Sequence, residues 1–413
     1  MMKETYVLLK KTVLVDSIMI TMQQEKQSRS NVTLGYFYLI ATFLYSTCKN
    51  KNWECTTETC LGTCAVYGDG HYLTFDNRRY RFNGNCAYTL VQDYCSNDPN
   101  DGTFRVITEN VPCGSQGTTC SKSLRLFLGN YELMLDNQKF DVVKRDSGKY
   151  VPFKVRQMGI YLVVDTVHGL SLIWDKKTTI FIKMDPAFER KVCGLCGNYD
   201  GNSANDYITR SQSVVGDVTE FGNSWKLYPS CPDAVEIKDT CASNPYRKAW
   251  SQKQCSIITS GAFVSCHGLV DPVKYYEACV NDACSCDSGG DCDCFCTAVA
   301  AYAQACSEAG LCIHWRTPNI CPVFCDFYNQ QGHCEWHYQA CGAPCMKTCM
   351  NPTGVCYNKL NGLEGCYPTC PEDRPFFNEE SMQCVASCNC YDEYGEEYKP
   401  GSKMPGSTRC SVW

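Results

Sequence analysis

The sequence predicts a multidomain, disulfide-rich extracellular chain: a β-sandwich, then a small α-helical unit, then a loop-rich, knottin-like unit. Cysteine usage, the placing of apolar alternation and the change of periodicity along the chain predict this. All 35 cysteines of the 413 residues fall between Cys48 and Cys410, a density that belongs to an oxidising compartment and a secreted product. Alternating apolar runs gather in residues 65–230, where cysteines are sparse. Beyond residue 231 cysteines return, first within helix-forming sequence and then with almost no periodicity.

A zinc array is the rival reading of so many thiols. Such arrays repeat a short two-pair unit, often with histidine, whereas here there are six histidines and no repeated spacing. The net charge of −6 comes with no basic block, which argues against nucleic acid. No segment is low-complexity, so the cysteine-bearing part folds throughout. The odd cysteine count leaves at least one thiol without an internal partner, through intermolecular pairing or a missing segment.

Residues 1–47 contain no cysteine. Leu34–Tyr45 (LGYFYLIATFLY) is an apolar run of twelve, too short for a spanning helix. With Lys26 and Arg29 before it and Ser46 and Thr47 after, it reads as a signal-peptide core, or else as a non-homologous N-terminal segment. No membrane span is expected. Asn31 opens the single acceptor sequon, Asn31-Val32-Thr33. Residues 48–64 (CKNKNWECTTETCLGTC) have too few apolar side chains for a core and depend on disulfides.

In residues 65–230 strands are expected at His71–Phe75, Ala87–Asp93, Phe104–Thr108, Leu124–Leu128, Tyr131–Leu135, Ile160–Val167, Leu170–Trp174 and Thr178–Met184. Turn formers such as Gly129-Asn130 and His168-Gly169 separate them, as in an antiparallel sandwich. In residues 231–320, Ala262–Val270, Pro272–Val280 and Thr297–Ala309 carry apolar residues three and four apart, the helical period. Pro272 suits a first helical position after Asp271, a good cap. Residues 321–390 have a cysteine every few positions with many Gly and Pro. Residues 391–413 begin another small unit.

Two motifs have chemistry that the residues alone leave open. Asn198-x-Asp200-Gly201-x-x-x-Asn205-Asp206 places four oxygen side chains around a glycine, the donor type that Ca²⁺ takes; the same residues also make an ordinary Asx-rich turn. Cys193-Gly194-Leu195-Cys196 has thioredoxin-like spacing, but follows strands with no βαβ pattern, so two structural disulfides compete with a redox pair. The run Cys284–Cys296 (CSCDSGGDCDCFC) packs five cysteines whose i, i+2 neighbours cannot readily bond each other, which sends their partners to other segments. No nucleophile elbow, zinc-protease helix or phosphate loop occurs, and no enzyme is expected.

Gly68-Asp69-Gly70-His71-Tyr72-Leu73-Thr74-Phe75-Asp76, Val91-Gln92-Asp93-Tyr94-Cys95 and Cys193–Gly201 occur in the order found in von Willebrand D domains. With Pro322–Cys345 and Gly362–Cys384, the chain resembles a D assembly of the gel-forming mucins and von Willebrand factor, most nearly the third assembly of the mucin-5 type. The resemblance implies a VWD domain at 65–230, a C8 domain at 231–320 and a TIL domain at 321–390. Partial E-type modules at 48–64 and 391–413 flank them, as in a fragment of a larger polymer. It also implies Ca²⁺ at Asp76, Asn198, Asp200, a backbone carbonyl near Asn202, Asn205 and Asp206. Interchain disulfides at Cys294 and Cys334 would link a homodimer and join other mucin chains in mucus or extracellular matrix. His333 and His337, on either side of Cys334, would then lower its thiol pKa when protonated. Disulfide exchange at Cys193/Cys196 and protease inhibition by the TIL unit are the alternative activities.

Overall fold

The computed structural model describes residues 7–8, 45–49, 52–55, 61–95, 102–113, 118–145, 151–235, 239–286, 291–329, 335–349, 351–358, 360–379, 381–391 and 397–398. Two antiparallel sheets dominate. One has seven strands: β1 (Gly62–Tyr67), β2 (His71–Leu73), β3 (Arg79–Arg81), β9 (Phe153–Met158), β10 (Tyr161–Thr166), β11 (Leu170–Trp174) and β12 (Ile180–Met184), in the order β9-β10-β11-β12-β1-β2-β3. The other is a meander of β4 (Ala87–Gln92), β5 (Phe104–Cys113), β6 (Thr118–Leu128), β7 (Tyr131–Asp136) and β8 (Lys139–Lys144).

Side-chain alternation explains the meander. In β7, Tyr131, Leu133 and Leu135 point inward while Glu132 and Met134 are half-exposed, the pattern of a sheet with one solvated face. These residues meet Leu124, Leu126 and Leu128 of β6 and Leu172, Trp174, Ile180 and Ile182 of the larger sheet in one core. In β10, β11 and β12 every position is buried. Their second face carries Tyr161, Val163, Ile173 and Phe181, covered by Leu360 and Leu363 from the C-terminal unit.

Every strand expected in residues 65–230 is present. Gly62–Tyr67, Arg79–Arg81, Lys139–Lys144 and Phe153–Met158 are additional. The division at 64/65 falls inside β1, because Cys64 is bonded to Cys196 and sits in the sandwich core. At the other end Cys231 is bonded to Cys86, which ties that residue back to the sandwich.

The helical unit follows α1 (Val218–Ser224) and contains α2 (Pro245–Cys255), α3 (Val273–Ser285) and α4 (Asp291–Glu308). Asp271 caps α3 by accepting from the Val273 amide at 3.0 Å, as its place before Pro272 suggested. Ala262–Val270 is no α-helix. It is a 3-10 turn followed by turns, with Phe263 and Cys266 buried and Cys266 bonded to Cys306 of α4. Cys321 closes this unit rather than opening the next, through its bond to Cys296. Beyond it, β13 (Trp336–Gly342) pairs with β14 (Leu363–Pro368). There Cys325–Cys366, Cys345–Cys356, Cys349–Cys388 and Cys370–Cys384 do much of the work of a core, as small modules require. No helix among the described residues is long and apolar enough to cross a membrane.

Buried polar contacts hold the three units together. His71 of β2 meets Asp282 of α3 at 2.7 Å, and Lys183 of β12 meets Glu308 of α4 at 2.5 Å. Arg316 grips Glu364 of β14 with two bonds of 2.9 and 2.7 Å, the bidentate geometry that suits guanidinium and carboxylate. Asp165 of β10 accepts from Asn358 Nδ2 at 2.6 Å and from the Tyr357 amide at 3.1 Å. At Gly365 (φ 147°) a Cβ would lie 2.3 Å from the Gly159 Cα, so the β9–β10 hairpin and β14 meet through two glycines.

Candidate calcium loop and cysteine sites

The loop after Cys196 is anchored before any ligand is considered. The Cys64–Cys196 disulfide and the bond from the Phe75 amide to the Cys196 carbonyl (3.1 Å) hold its start against β1 and the segment after β2. Asp76 accepts from the Asp200 and Gly201 amides at 3.0 and 2.8 Å. Arg78 donates to the Ser203 carbonyl at 3.0 Å and stacks on Tyr207. Thr74 Oγ1 donates to Asp206 Oδ2 at 2.7 Å. Gly197 (φ 82°) is required, since a Cβ there would sit 2.3 Å from Asp206 Oδ1.

Asp76, Asn198, Asp200, Asn205 and Asp206 therefore converge on one loop. Asp200 orients the others: it accepts from the Asn202 amide and from Asn205 Nδ2, both at 2.8 Å. That leaves Asn205 Oδ1 as an acceptor. The Asn202 side chain is exposed and caps the Ala204 amide at 3.2 Å, so only its backbone is placed to contribute. Asn198 Oδ1, Asn205 Oδ1 and Asp206 Oδ1 are buried without a hydrogen-bond partner. An orphaned buried acceptor costs about 1–3 kcal/mol, so three together mark an acceptor cradle.

Charge makes the same point. Burial pushes the Asp206 carboxyl up to about 7, and the adjacent Asp76 carboxylate adds to the rise. Burial likewise raises Asp76, against the two amides that favour its charged form. Among the described residues no group of three or more His, Cys, Asp and Glu side chains converges as a metal site. The acceptors here are amides as well as carboxylates, which suits a hard cation taking six to eight oxygens. Thr74 and Arg78 were not legible as parts of this site, since nothing in their spacing points to residues more than 100 positions away.

Cys193 and Cys196 are not bonded to each other. Cys193 pairs with Cys95 and Cys196 with Cys64, and both are buried. They pin two segments to the loop, and the strand-rich surroundings lack the helix N-terminus that activates a redox cysteine. The structure also corrects the reading of Cys294. This residue is bonded to Cys286, eight positions away in the same cysteine cluster, where partners had been expected only from other segments. Helix α4 begins inside the cluster and brings Cys294 back to the end of α3. Cys241–Cys284 and Cys296–Cys321 do reach other segments. Asn31, His333 and Cys334 lie outside the described residues; His337 is exposed on β13.

A two-sheet sandwich closed by long-range disulfides, carrying an acceptor loop and followed by a helical and a knottin-like unit, defines a modular D assembly. The profile of the von Willebrand factor type D domain matches residues 64–213, that of the C8 domain residues 254–322, and that of the otogelin-like/mucin TIL domain residues 334–390. The chain is 60% identical to human Mucin-5B over 364 residues and 60% identical to human Mucin-5AC over 372. It is 51% identical to rat Mucin-2 over 367. Each alignment takes in 88% of this chain but only 6%, 7% and 24% of those proteins respectively. The chain belongs to the gel-forming mucin family. It is a secreted module of that family, in keeping with its disulfide density, and its relatives are structural mucins.

Proposed function

We propose that this chain is a calcium-stabilised assembly module, through which mucin chains are joined covalently into an extracellular polymer. The observation that carries the reading is the trio of buried, unpartnered oxygens on Asn198, Asn205 and Asp206 beside Asp76. A bound Ca²⁺ would accept these oxygens and the two carboxylates that otherwise repel each other. Asp76, Asn198, Asn205, Asp206 and a backbone carbonyl near Asn202 would hold it, with Asp200 positioning the loop. Calcium would thereby clamp the segment carrying Cys193 and Cys196 to the strand end at Asp76.

The covalent link is assigned to Cys334, joining two copies of the chain; the pairing of Cys294 with Cys286 withdraws Cys294 from that role. The odd total of 35 cysteines leaves at least one thiol for a bond to another molecule or to a missing segment. Two measurements test the reading on secreted material. Calcium at millimolar concentration should raise the thermal midpoint over chelated protein, and calorimetry should show one site; no shift and no heat would refute the calcium half. Non-reducing electrophoresis should show a dimer that collapses to monomer in Cys334→Ser, and a persistent dimer would refute the assignment.

A further inference from the structure

A polar cleft lies on the meander side of the sandwich, against the Cys95–Cys193 disulfide. It encloses about 330 Å³, near the small end of ligand-sized cavities at roughly 300–1,000 Å³. Arg105 of β5 and Arg210, from the segment that precedes α1, both line it.

Each guanidinium is held by neutral groups. Arg105 Nε donates to Gln92 Oε1 at 2.8 Å, with its planar head over the Tyr94 ring. Arg210 Nη2 donates to Thr89 Oγ1 at 3.2 Å, with its head over Trp225. Among the described residues neither arginine forms an ion pair. Asp93, which stands between the cleft residues Gln92 and Tyr94 in sequence, spends both oxygens on Thr103 and on the Phe104 amide. Partial burial and the Arg105 charge together hold Arg210 below the ordinary guanidinium range. Two like charges are thus fixed in one concavity with most of their N–H donors unused. Gln212 closes the rim, its amide donating to the Cys95 carbonyl at 3.2 Å.

Two guanidinium charges lining one cleft disfavour each other, and an anion bound between them would relieve that repulsion. We propose that this cleft is an oxyanion-binding site, taking one carboxylate or sulfate borne on a group no larger than a single sugar ring. Paired guanidinium forks supply the bidentate geometry such oxyanions accept, and the Tyr94 ring offers a flat wall to the group that carries them.

The test uses the secreted, calcium-loaded chain in buffers of equal ionic strength. Calorimetry and thermal melts are run with sodium sulfate, sodium glucuronate and N-acetylglutamate amide at millimolar concentration. Sulfate or glucuronate should bind and raise the midpoint above chloride. Arg105→Gln or Arg210→Gln should weaken binding at least about tenfold, the loss expected for one charged hydrogen bond. Arg210 is exposed at the mouth of the cleft, so Arg210→Gln should keep the anion-free midpoint of the parent or raise it by removing repulsion.

Binding of glucuronate without N-acetylglutamate amide would assign a sugar-borne anion, and the converse an acidic side chain. The proposal is overturned if no anion exceeds chloride, or if the variants respond to sulfate as the parent does. The latter would be general salting-out. It is also overturned if the Asp98→Asn/Asp101→Asn variant binds an anion and the parent does not, because the chain's own acids would then fill the site.

Discussion

Lys122 lies on β6 with 1% of its surface exposed, and its ammonium donates to Asn110 Oδ1 at 2.6 Å. The Asn110 amide nitrogen is already committed to Asn83 Oδ1 and the Gly84 carbonyl, so this oxygen has to accept. Burial pulls the lysine down from 10.5 to about 8, partly offset by Asp69, Asp282 and Asp175. At about 1.4 kcal/mol per pH unit, that difference costs the fold roughly 3 kcal/mol wherever the ammonium must stay charged. Lys122→Met removes this cost but leaves Asn110 Oδ1 without a donor, a penalty of about 1–3 kcal/mol. Near pH 7 the two effects almost cancel, so a single midpoint says little. The pH slope separates them. Between about 8 and 10.5 the unfolded chain keeps a proton that the folded chain has shed. Unfolding free energy of the parent should therefore rise with pH, by up to about 1.4 kcal/mol per unit, while Lys122→Met should lack this rise. Guanidinium unfolding of both proteins from pH 7.5 to 9.5, with free thiols blocked and calcium fixed, measures the difference. Parallel slopes would show that the ammonium is not desolvated in the fold.

Asp206→Asn keeps an acceptor for Thr74 but removes a carboxylate from the loop; its midpoint should no longer respond to calcium, whereas Asn202→Ala, whose side chain faces solvent, should keep at least half of the parental response. Gly365→Ala puts a methyl group into the Gly159 backbone and should lower the midpoint by several degrees, with limited proteolysis beginning in residues 321–390. Glu364→Gln leaves the buried Arg316 without its counter-charge and should cost about 3–5 kcal/mol, more than replacing both residues by Met and Leu; a cheaper single change would count against a buried pair. Insulin reduction by the Cys193→Ser/Cys196→Ser protein should equal that of the parent, and any activity restricted to the parent would reopen the redox reading of that pair.

The sandwich was readable because its meander solvates one face: Tyr131, Leu133 and Leu135 alternate with Glu132 and Met134, and burial follows the alternation. What the sequence hid has physical causes. Lys139–Lys144 is exposed at every position, so no face of it is marked by composition. Gly62–Tyr67 was divided between two units because Cys64 reads as part of a cysteine cluster, while its partner stands 132 residues away. Pro245–Cys255 buries only Ser251 and Cys255, too little for an apolar stripe. The calcium-type loop was legible as a run of Asn, Asp and Gly. Its anchors Thr74 and Arg78 were not, because they act across the tertiary fold. The Cys286–Cys294 bond was hidden because it depends on how α4 sets Cys294 against the end of α3, which no cysteine spacing discloses.

β1 lies between β12 and β2 in the middle of the larger sheet, yet it is the first of the sandwich strands to be synthesised. Its Cys64 waits 132 residues for Cys196, and Cys86 waits 145 for Cys231. At about 5–20 residues per second, each thiol stands open for roughly 7 to 30 seconds in an oxidising lumen, with Cys95 and later cysteines emerging beside it. Pairing neighbours in order of appearance would give the wrong bonds. The time a ribosome takes to cross one domain is therefore the interval over which early thiols must stay reduced, or have wrong bonds exchanged, before the native pairs can form.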